Sequence, residues 1–462
     1  MMPDVEARRA AYEAKKQALS ASVRERNQHK QAGETLALGG KTSSNLFRVR
    51  GDAATRKVAT INVRDLNQVI DVDAENLVAE VEGMTRYEDF VEATLTFNCL
   101  PTVVPELKSI TVGGAATGIG IESSSFKYGL VHETILEMDV LLGNGDVVTC
   151  TADNEHRDLF FGFPNSYGTL GYALRLKVKL IKAKPFVKVE RKTYTDAQRY
   201  FADMKALSLK ARQDGSVDYI DGAWLGGKLY LQTGTFVDTA PHASDYTFLN
   251  IFYKSIPKKP IDYLTAKDYI WRWDTDWFWC SRFFLFENPL VRLIFGRKNL
   301  RSTTYMKIKN FFDKHDAAKK FEFIRGRNEP VIQDVEIPVE HAPDFLSFFT
   351  REIGINYLWM CPTMAYDPTK KYDLYAMDPS TLYVNFGFWD GVQSDKEDGH
   401  YNRLIEKKTE ELHGKKSLYS TSYYSSEEFW KLYNKPRYEE LKKTYDPGAS
   451  LKDLYQKCVQ RT

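Results

Sequence analysis

A chain of 462 residues, 43% of them apolar, is long enough for two or three domains with real cores. Its formal net charge of +2 provides no bulk field to draw it onto nucleic acid. The five cysteines, Cys99, Cys150, Cys280, Cys361 and Cys458, are odd in number and lack Cys-x-x-Cys spacing. They support neither a disulfide framework nor a thiolate zinc site, and they predict a reducing, cytoplasmic setting.

In chain order, the opening "MMPDVEARRAAYEAKKQALSASVRERNQHK" is charged throughout and has no apolar core region. It predicts an exposed amphipathic helical arm over 1–33 rather than a secretory leader. Residues 35–68 alternate apolar positions after each turn, and 77–107 read as strand, helix and a proline-rich approach to a glycine-rich stretch. That stretch, "TVGGAATGIGIESSSFKYG" at 111–129, holds five glycines and five Ser/Thr hydroxyls around one acid, Glu122. Glycine lets backbone amides approach a ligand and reaches positive φ without strain, and a phosphate is the obvious guest. The Rossmann fingerprint fits poorly, because Ser123 stands where a third glycine belongs and no Gly-Lys-Ser/Thr ending marks a P-loop. A glycine-rich surface turn is the plain alternative.

Next, 132–151 reads as strand, Asn-Gly turn and strand, a hairpin. "GTLG" at 168–171 leads into an alternating strand over 173–181. The span 101–184 resembles the second half of the FAD-binding domain of the vanillyl-alcohol-oxidase and p-cresol-methylhydroxylase superfamily. The resemblance implies FAD held by the amides of Thr111, Val112, Gly113 and Gly114, with Thr117, Gly118, Gly120, Ser123 and Ser124 beside them, and the adenine half near Gly168, Thr169 and Gly171. "GGKTSSN" at 39–45 occupies the place of the family's first phosphate loop. No histidine stands between His29 and His132 to bond the flavin covalently, so a dissociable FAD is expected. The implied fold is α+β: a helical arm (1–33), an FAD-binding domain of PCMH type (34–184), an inserted α+β substrate domain (185–398) and a C-terminal helical return to the flavin domain (399–462).

The segment 268–301 holds four of the eight tryptophans, Trp271, Trp273, Trp277 and Trp279, with phenylalanines and arginines interleaved. Rings beside arginines suit a headgroup layer, and an aromatic core or a subunit contact would look the same. No apolar run reaches the eighteen or so residues of a membrane span. "NPLVRLIFG", "LWMCP", "LYVNFGFWD" and "SLYSTSYYSSEEFW" resemble the lipid-reducing branch that contains Δ24-sterol reductase. "VVPELKSITVGGAATGIGIES", "FPNSYGTLGY", "VDYIDG" and "YDPGASLKDLY" are closer still to bacterial flavoproteins that reduce 10-methylene fatty acyl chains. That resemblance implies a lipid alkene substrate, NADPH as reductant, a methyltransferase that supplies the alkene, and peripheral contact with the inner face of the membrane through 268–301. Reverse desaturation, an oxygen-dependent alcohol or sugar oxidase, and a lipid-binding protein with a vestigial flavin site are the alternatives.

An isolated alkene has no carbonyl to accept electrons, so a proton must reach one carbon as hydride reaches the other. The candidate donors are Glu122, His132, Tyr419, Tyr423 and Tyr424. Near the C-terminus, Ser425 with Glu428 forms a capping-box pattern, Pro436 opens a second helix, and "DPG" at 446–448 stops it.

Overall fold

The computed structural model describes residues 4–31, 33–39, 58–314 and 328–460. The fold is α+β and is built on two antiparallel sheets. Leading into them, β1 (Thr35–Gly39) and β2 (Val58–Asn62) form a small parallel pair. The first sheet uses β3 (Val69–Asp73), β4 (Val78–Glu82), β5 (Cys99–Pro101), β6 (Ile135–Leu141), β7 (Val147–Thr151) and β8 (Tyr172–Lys182). Its order is β3-β4-β8-β6-β7, with β5 also paired to β8. The hairpin is present: β6 and β7 pair antiparallel, and Gly145 in the connecting turn takes φ 92°. Long β8 is the hub, because alternate apolar residues along it (Leu174, Leu176, Val178, Leu180) are fully buried.

The second sheet has eight strands: β9 (Phe186–Tyr194), β10 (Tyr219–Leu225), β11 (Lys228–Val237), β12 (Ile261–Thr265), β13 (Asn328–Pro338), β14 (Tyr357–Thr363), β15 (Tyr383–Gln393) and β16 (Lys415–Lys416). Their order is β12-β9-β11-β10-β14-β15-β13-β16. The C-terminal segment serves both sheets. β16 pairs with β13, while the helix Lys435–Tyr445 packs Leu441 against Gly162 of the first unit. The capping box forms as expected: Ser425 Oγ accepts from the Glu428 N–H at 3.2 Å, and Glu428 accepts from the Ser425 N–H at 2.7 Å.

The N-terminal segment differs from expectation. Helix α1 (Val5–Gln28) is docked on the first sheet, not an exposed arm, and it buries Val5, Tyr12, Leu19 and Val23. What the charge pattern hid is a polar network under the helix. The Tyr12 hydroxyl donates to Asp139 at 2.6 Å, Arg9 reaches Glu80 at 3.1 Å, and Lys15 reaches Glu82 at 2.7 Å. Arg175 of β8 ties two of these acids to Glu137, donating to Glu80, Glu137 and Asp139 at 2.6–2.8 Å. Burial alone would push the acids up, but Arg175 holds Glu137 and Asp139 below the usual carboxylate range. Removing one partner of such a network leaves buried charge uncompensated. Arg175→Leu should therefore destabilise the protein by roughly 3–5 kcal/mol, read from urea unfolding, and loosen α1 to limited proteolysis. An unchanged unfolding midpoint would mean that the network adds nothing.

Candidate functional site

The glycine-rich stretch folds as a short helix, α2 (Val112–Thr117), capped by Thr111, whose hydroxyl accepts from the Gly114 N–H at 3.2 Å. The helix has two unlike faces. Val112, Gly113, Ala115 and Ala116 are buried, whereas Gly114 is exposed and Thr111, Thr117, Gly118 and Gly120 are half-buried. On the inner face the backbone is already committed: the Val112 N–H donates to Thr85 and the Gly113 N–H to Gly83, each at 2.9 Å. A Cβ on Gly113 would lie 2.8 Å from the Gly83 carbonyl oxygen, so that glycine permits strand-to-helix packing. Val112 and Gly113 are thus not free amide donors for a ligand.

Three other expected contacts also turn inward. The Ser123 hydroxyl donates to Glu122, the Ser124 hydroxyl to the Thr102 carbonyl at 2.7 Å, and the Gly120 N–H to Ala115 at 3.1 Å. Positive φ is not what the glycines of α2 supply. In this stretch Gly129 (φ 69°) and, unexpectedly, Ile119 (φ 58°) occupy the left-handed region. A β-branched residue there is strained, and such strain persists only where the surroundings over-determine it. Gly168, Thr169 and Gly171 form a buried turn capped from the C-terminal segment, where Lys442 donates to the Thr169 carbonyl at 2.8 Å. The same turn carries Asn165 and Tyr167 at φ 65° and 49°, and the Tyr167 hydroxyl reaches the Gly118 carbonyl at 3.2 Å. Asn165 Oδ1 and the Ser166 hydroxyl are buried there without a partner.

Just beyond α2, Glu122 sits at the junction of the two sheets. Arg272 donates to Glu122 at 3.0 Å and to Asp221 of β10 at 2.8 Å, and its guanidinium lies 4.2 Å from the Tyr269 ring centre. Trp359 of β14 donates to Asp221 at 3.2 Å, and Gln232 of β11 does so at 3.0 Å. The Ile220 N–H meets the Ser123 carbonyl at 2.8 Å, and Cys361 Sγ donates to the Glu122 carbonyl at 3.0 Å. Glu106, from the loop preceding α2, completes the cluster within hydrogen-bonding reach of Glu122. Sequence reasoning missed Glu106, Asp221 and Arg272, although all three lie in stretches it had singled out. Acids in a buried apolar setting need a cation, and that pairing was the signal available.

The remaining candidate donors fare differently. His132 is buried edge-on to Tyr372 at 4.4 Å, and burial drives its pKa down to about 3. It is neutral at working pH and stores no proton. Tyr419 accepts from Trp389 Nε1 at 3.1 Å, and burial, with Asp334 beside it, raises its pKa, making it a feebler acid. Burial likewise raises Tyr424. Tyr423 packs on Gly399 and 5.7 Å from Arg403, with its N–H on Glu406.

The tryptophans of 268–301 are core. Trp271, Trp273, Trp277 and Trp279 are 0–5% exposed, and Phe278 stacks between Trp273 and Trp389 at 5.0 and 4.0 Å. Two of the interleaved arginines are also buried, Arg272 on Glu122 and Arg292 on Asp276 at 2.9 Å. Contiguous in sequence with this core, the helix Pro289–Phe295 is capped by Asn288 and pinned by Arg292. It turns Leu290, Leu293 and Ile294 outward, the last 89% exposed, beside exposed Phe283 and Leu285.

Residues 10–151 match the sequence profile of the FAD binding domain. The chain is 26% identical to the Δ24-sterol reductase of Pisum sativum over 86% of its own length and 76% of that protein's. It is 24% identical to the Homo sapiens Δ24-sterol reductase over 88% and 78%. A cytokinin dehydrogenase of Oryza sativa subsp. japonica is 30% identical over 42% of this chain and 34% of that protein. The chain is an FAD-dependent oxidoreductase that is similar to Δ24-sterol reductases over most of its length. The site fits such a cofactor: the outward strip of α2 bears no side chain larger than threonine, and the orphaned polar atoms of Asn165 and Ser166 lie where the 165–171 turn meets the end of α2, the Asn165 N–H on the Thr117 carbonyl at 3.0 Å. The flavoprotein would hold its dinucleotide with Thr111, Gly114, Thr117 and Gly118. The expected first phosphate loop lies outside the described residues after Gly39.

Gly114→Val tests the strip. A Cβ there meets only Thr111 Oγ1, at 2.7 Å, so the change disturbs the cap and covers the open face while the core stays intact. The variant should purify folded by circular dichroism but with flavin absorbance reduced severalfold or lost. Full flavin content would move the contact elsewhere.

Proposed function

We propose that the chain reduces an isolated C=C bond of a membrane lipid, a methylene-branched acyl chain or a sterol side chain, with NADPH as electron donor. The observation carrying this reading is the extent of the likeness to Δ24-sterol reductases. It runs over most of the chain and so takes in the eight-stranded sheet behind Glu122, whereas the likeness to cytokinin dehydrogenase covers less than half. Bound FAD supplies the hydride in such a reaction. The protein's own tasks are to exclude water, orient an apolar chain and hold one proton in a dry place. The packed aromatic rings around Phe278 and the buried acids beside Arg272 suit those tasks. A methyltransferase is the partner that a methylene substrate implies, and the setting is cytoplasmic, at the inner face of the membrane.

Anaerobic mixing with NADPH should bleach the flavin, and subsequent addition of a methylene-branched phospholipid or a Δ24-sterol should restore the colour and yield the saturated product. Bleaching by an alcohol, with no response to NADPH, would instead mark an oxidase; a saturated lipid that bleaches the flavin would mark the desaturase. The FAD should be released by acid as free cofactor, and yellow precipitated polypeptide would refute a dissociable flavin.

Access to lipid falls to the outward face of Pro289–Phe295 rather than to the tryptophans. Among the described residues, no helix is long and apolar enough to cross a membrane. Five of the seven large exposed apolar side chains among the described residues lie within 283–294, followed by exposed Arg297 and Lys298. Burying a Leu or Ile side chain is worth about 1.5–3 kcal/mol. Leu293→Ser with Ile294→Ser should therefore weaken sedimentation with anionic liposomes by on the order of a hundredfold, leaving flavin content unchanged. Equal binding by the double variant would rule out this face as the docking element.

A further inference from the structure

Two buried acids, Glu122 and Asp221, hold the one guanidinium of Arg272, and a third buried acid, Glu106, lies against Glu122. Arg191, the next cation, faces away toward Asp262 at 3.9 Å and reaches this cluster only through Gln232. Asp221 is satisfied by Arg272, Trp359 and Gln232. Glu122 Oε1 is satisfied by Arg272 and Ser123. One oxygen on each glutamate is left over: Glu106 Oε1 and Glu122 Oε2 are buried with no donor. Two carboxylates cannot hydrogen-bond each other, but a carboxylic acid and a carboxylate can, through one proton. Placed between the two side chains, that proton provides the missing donor and brings three acids closer to balance with one cation.

We propose that Glu106 and Glu122 form a carboxyl pair sharing a single proton, and that this proton is the one delivered to the alkene. The second half rests on the reaction proposed above. Desolvation and the neighbouring Glu122 both raise Glu106 well above the ordinary glutamate range, the direction that a retained proton requires. The other titratable groups facing the pair are Cys361, Tyr269 and Tyr219, and burial raises all three, leaving them protonated as well. In the forward step the alkene π bond breaks, and its electron pair forms a C–H bond at one carbon with the pair's proton as the carboxyl O–H bond breaks. The two electrons arrive with the hydride at the other carbon, drawn ultimately from the nicotinamide donor. The pair is left doubly ionised against Arg272 until solvent returns a proton.

Infrared spectroscopy of the FAD-loaded protein at pH 7 tests the pair without relying on turnover. The wild type should show a protonated-carboxyl C=O component that shifts in deuterium oxide and that Glu106→Gln and Glu122→Gln each remove, over a background from buried Glu336, whose pKa is raised to about 8, that all three proteins share. Both variants should still bind FAD and be reduced by NADPH at the normal rate, while alkene reduction falls on the order of a hundredfold or more. A wild type without the band overturns the pair, whatever the variants do. Wild-type-minus-variant spectra that contain no protonated-carboxyl component for either substitution do the same. If the band behaves as expected but Glu106→Gln reduces lipid normally, proton delivery is overturned. If the band behaves as expected and the wild type reduces no lipid alkene, the proposed reaction fails and with it the proton's destination.

Discussion

Arg272 stands between Glu122 at 3.0 Å and Asp221 at 2.8 Å, and the joining of the two sheets is arranged around that guanidinium. A buried ion pair is weak evidence of stability, because both charges lose water to form it. This one is tolerated because nearly every polar atom around it has a partner: Trp359 and Gln232 on Asp221, Ser123 on Glu122, and the Tyr269 ring under the guanidinium. Its effect is positional. The loop after α2 cannot slide along β10 without breaking both charge contacts and the Ile220–Ser123 backbone bond. The unit that carries α2 and the larger sheet are thereby held at one fixed offset.

The same economy governs α2. Its glycines do two jobs on opposite faces: Gly113 lets the helix lie against Gly83, and Gly114 keeps the other face bare. Identical residues one position apart thus serve packing and access, and only the helical periodicity tells them apart.

Local features were legible in the sequence because local chemistry determines them. The Asn-Gly turn between β6 and β7 and the Ser425–Glu428 capping box needed no information beyond their own few residues. The glycine-rich stretch marked the cofactor unit, yet the direction of each amide and hydroxyl was not readable. Ser123 and Ser124 turn inward because Glu122 and Thr102 are there to meet them. Long-range partners were invisible for the same reason. Arg272 lies 150 residues from Glu122 and 51 from Asp221. The tryptophan-rich segment misled because rings beside arginines describe a membrane surface and a core with internal ion pairs equally well. What separates the two is the presence of Glu122 and Asp276 opposite Arg272 and Arg292, a fact of tertiary structure.

The docking of α1 has a consequence for how the molecule assembles. α1 is made before the residues it docks on, for Glu80 lies 71 residues beyond Arg9 and Asp139 lies 127 beyond Tyr12. Near the other end of the chain, the Leu36 N–H closes onto the Ser450 carbonyl. Contacts of such separation form slowly, because the intervening chain must be ordered before they are rewarded. A nascent chain therefore carries α1 as an undocked amphipathic segment until Glu80, Glu82 and Asp139 have been made, shielded by its own lysines and arginines rather than by its eventual partners. The surface charge that made the segment read as an exposed arm is what keeps it soluble while it waits.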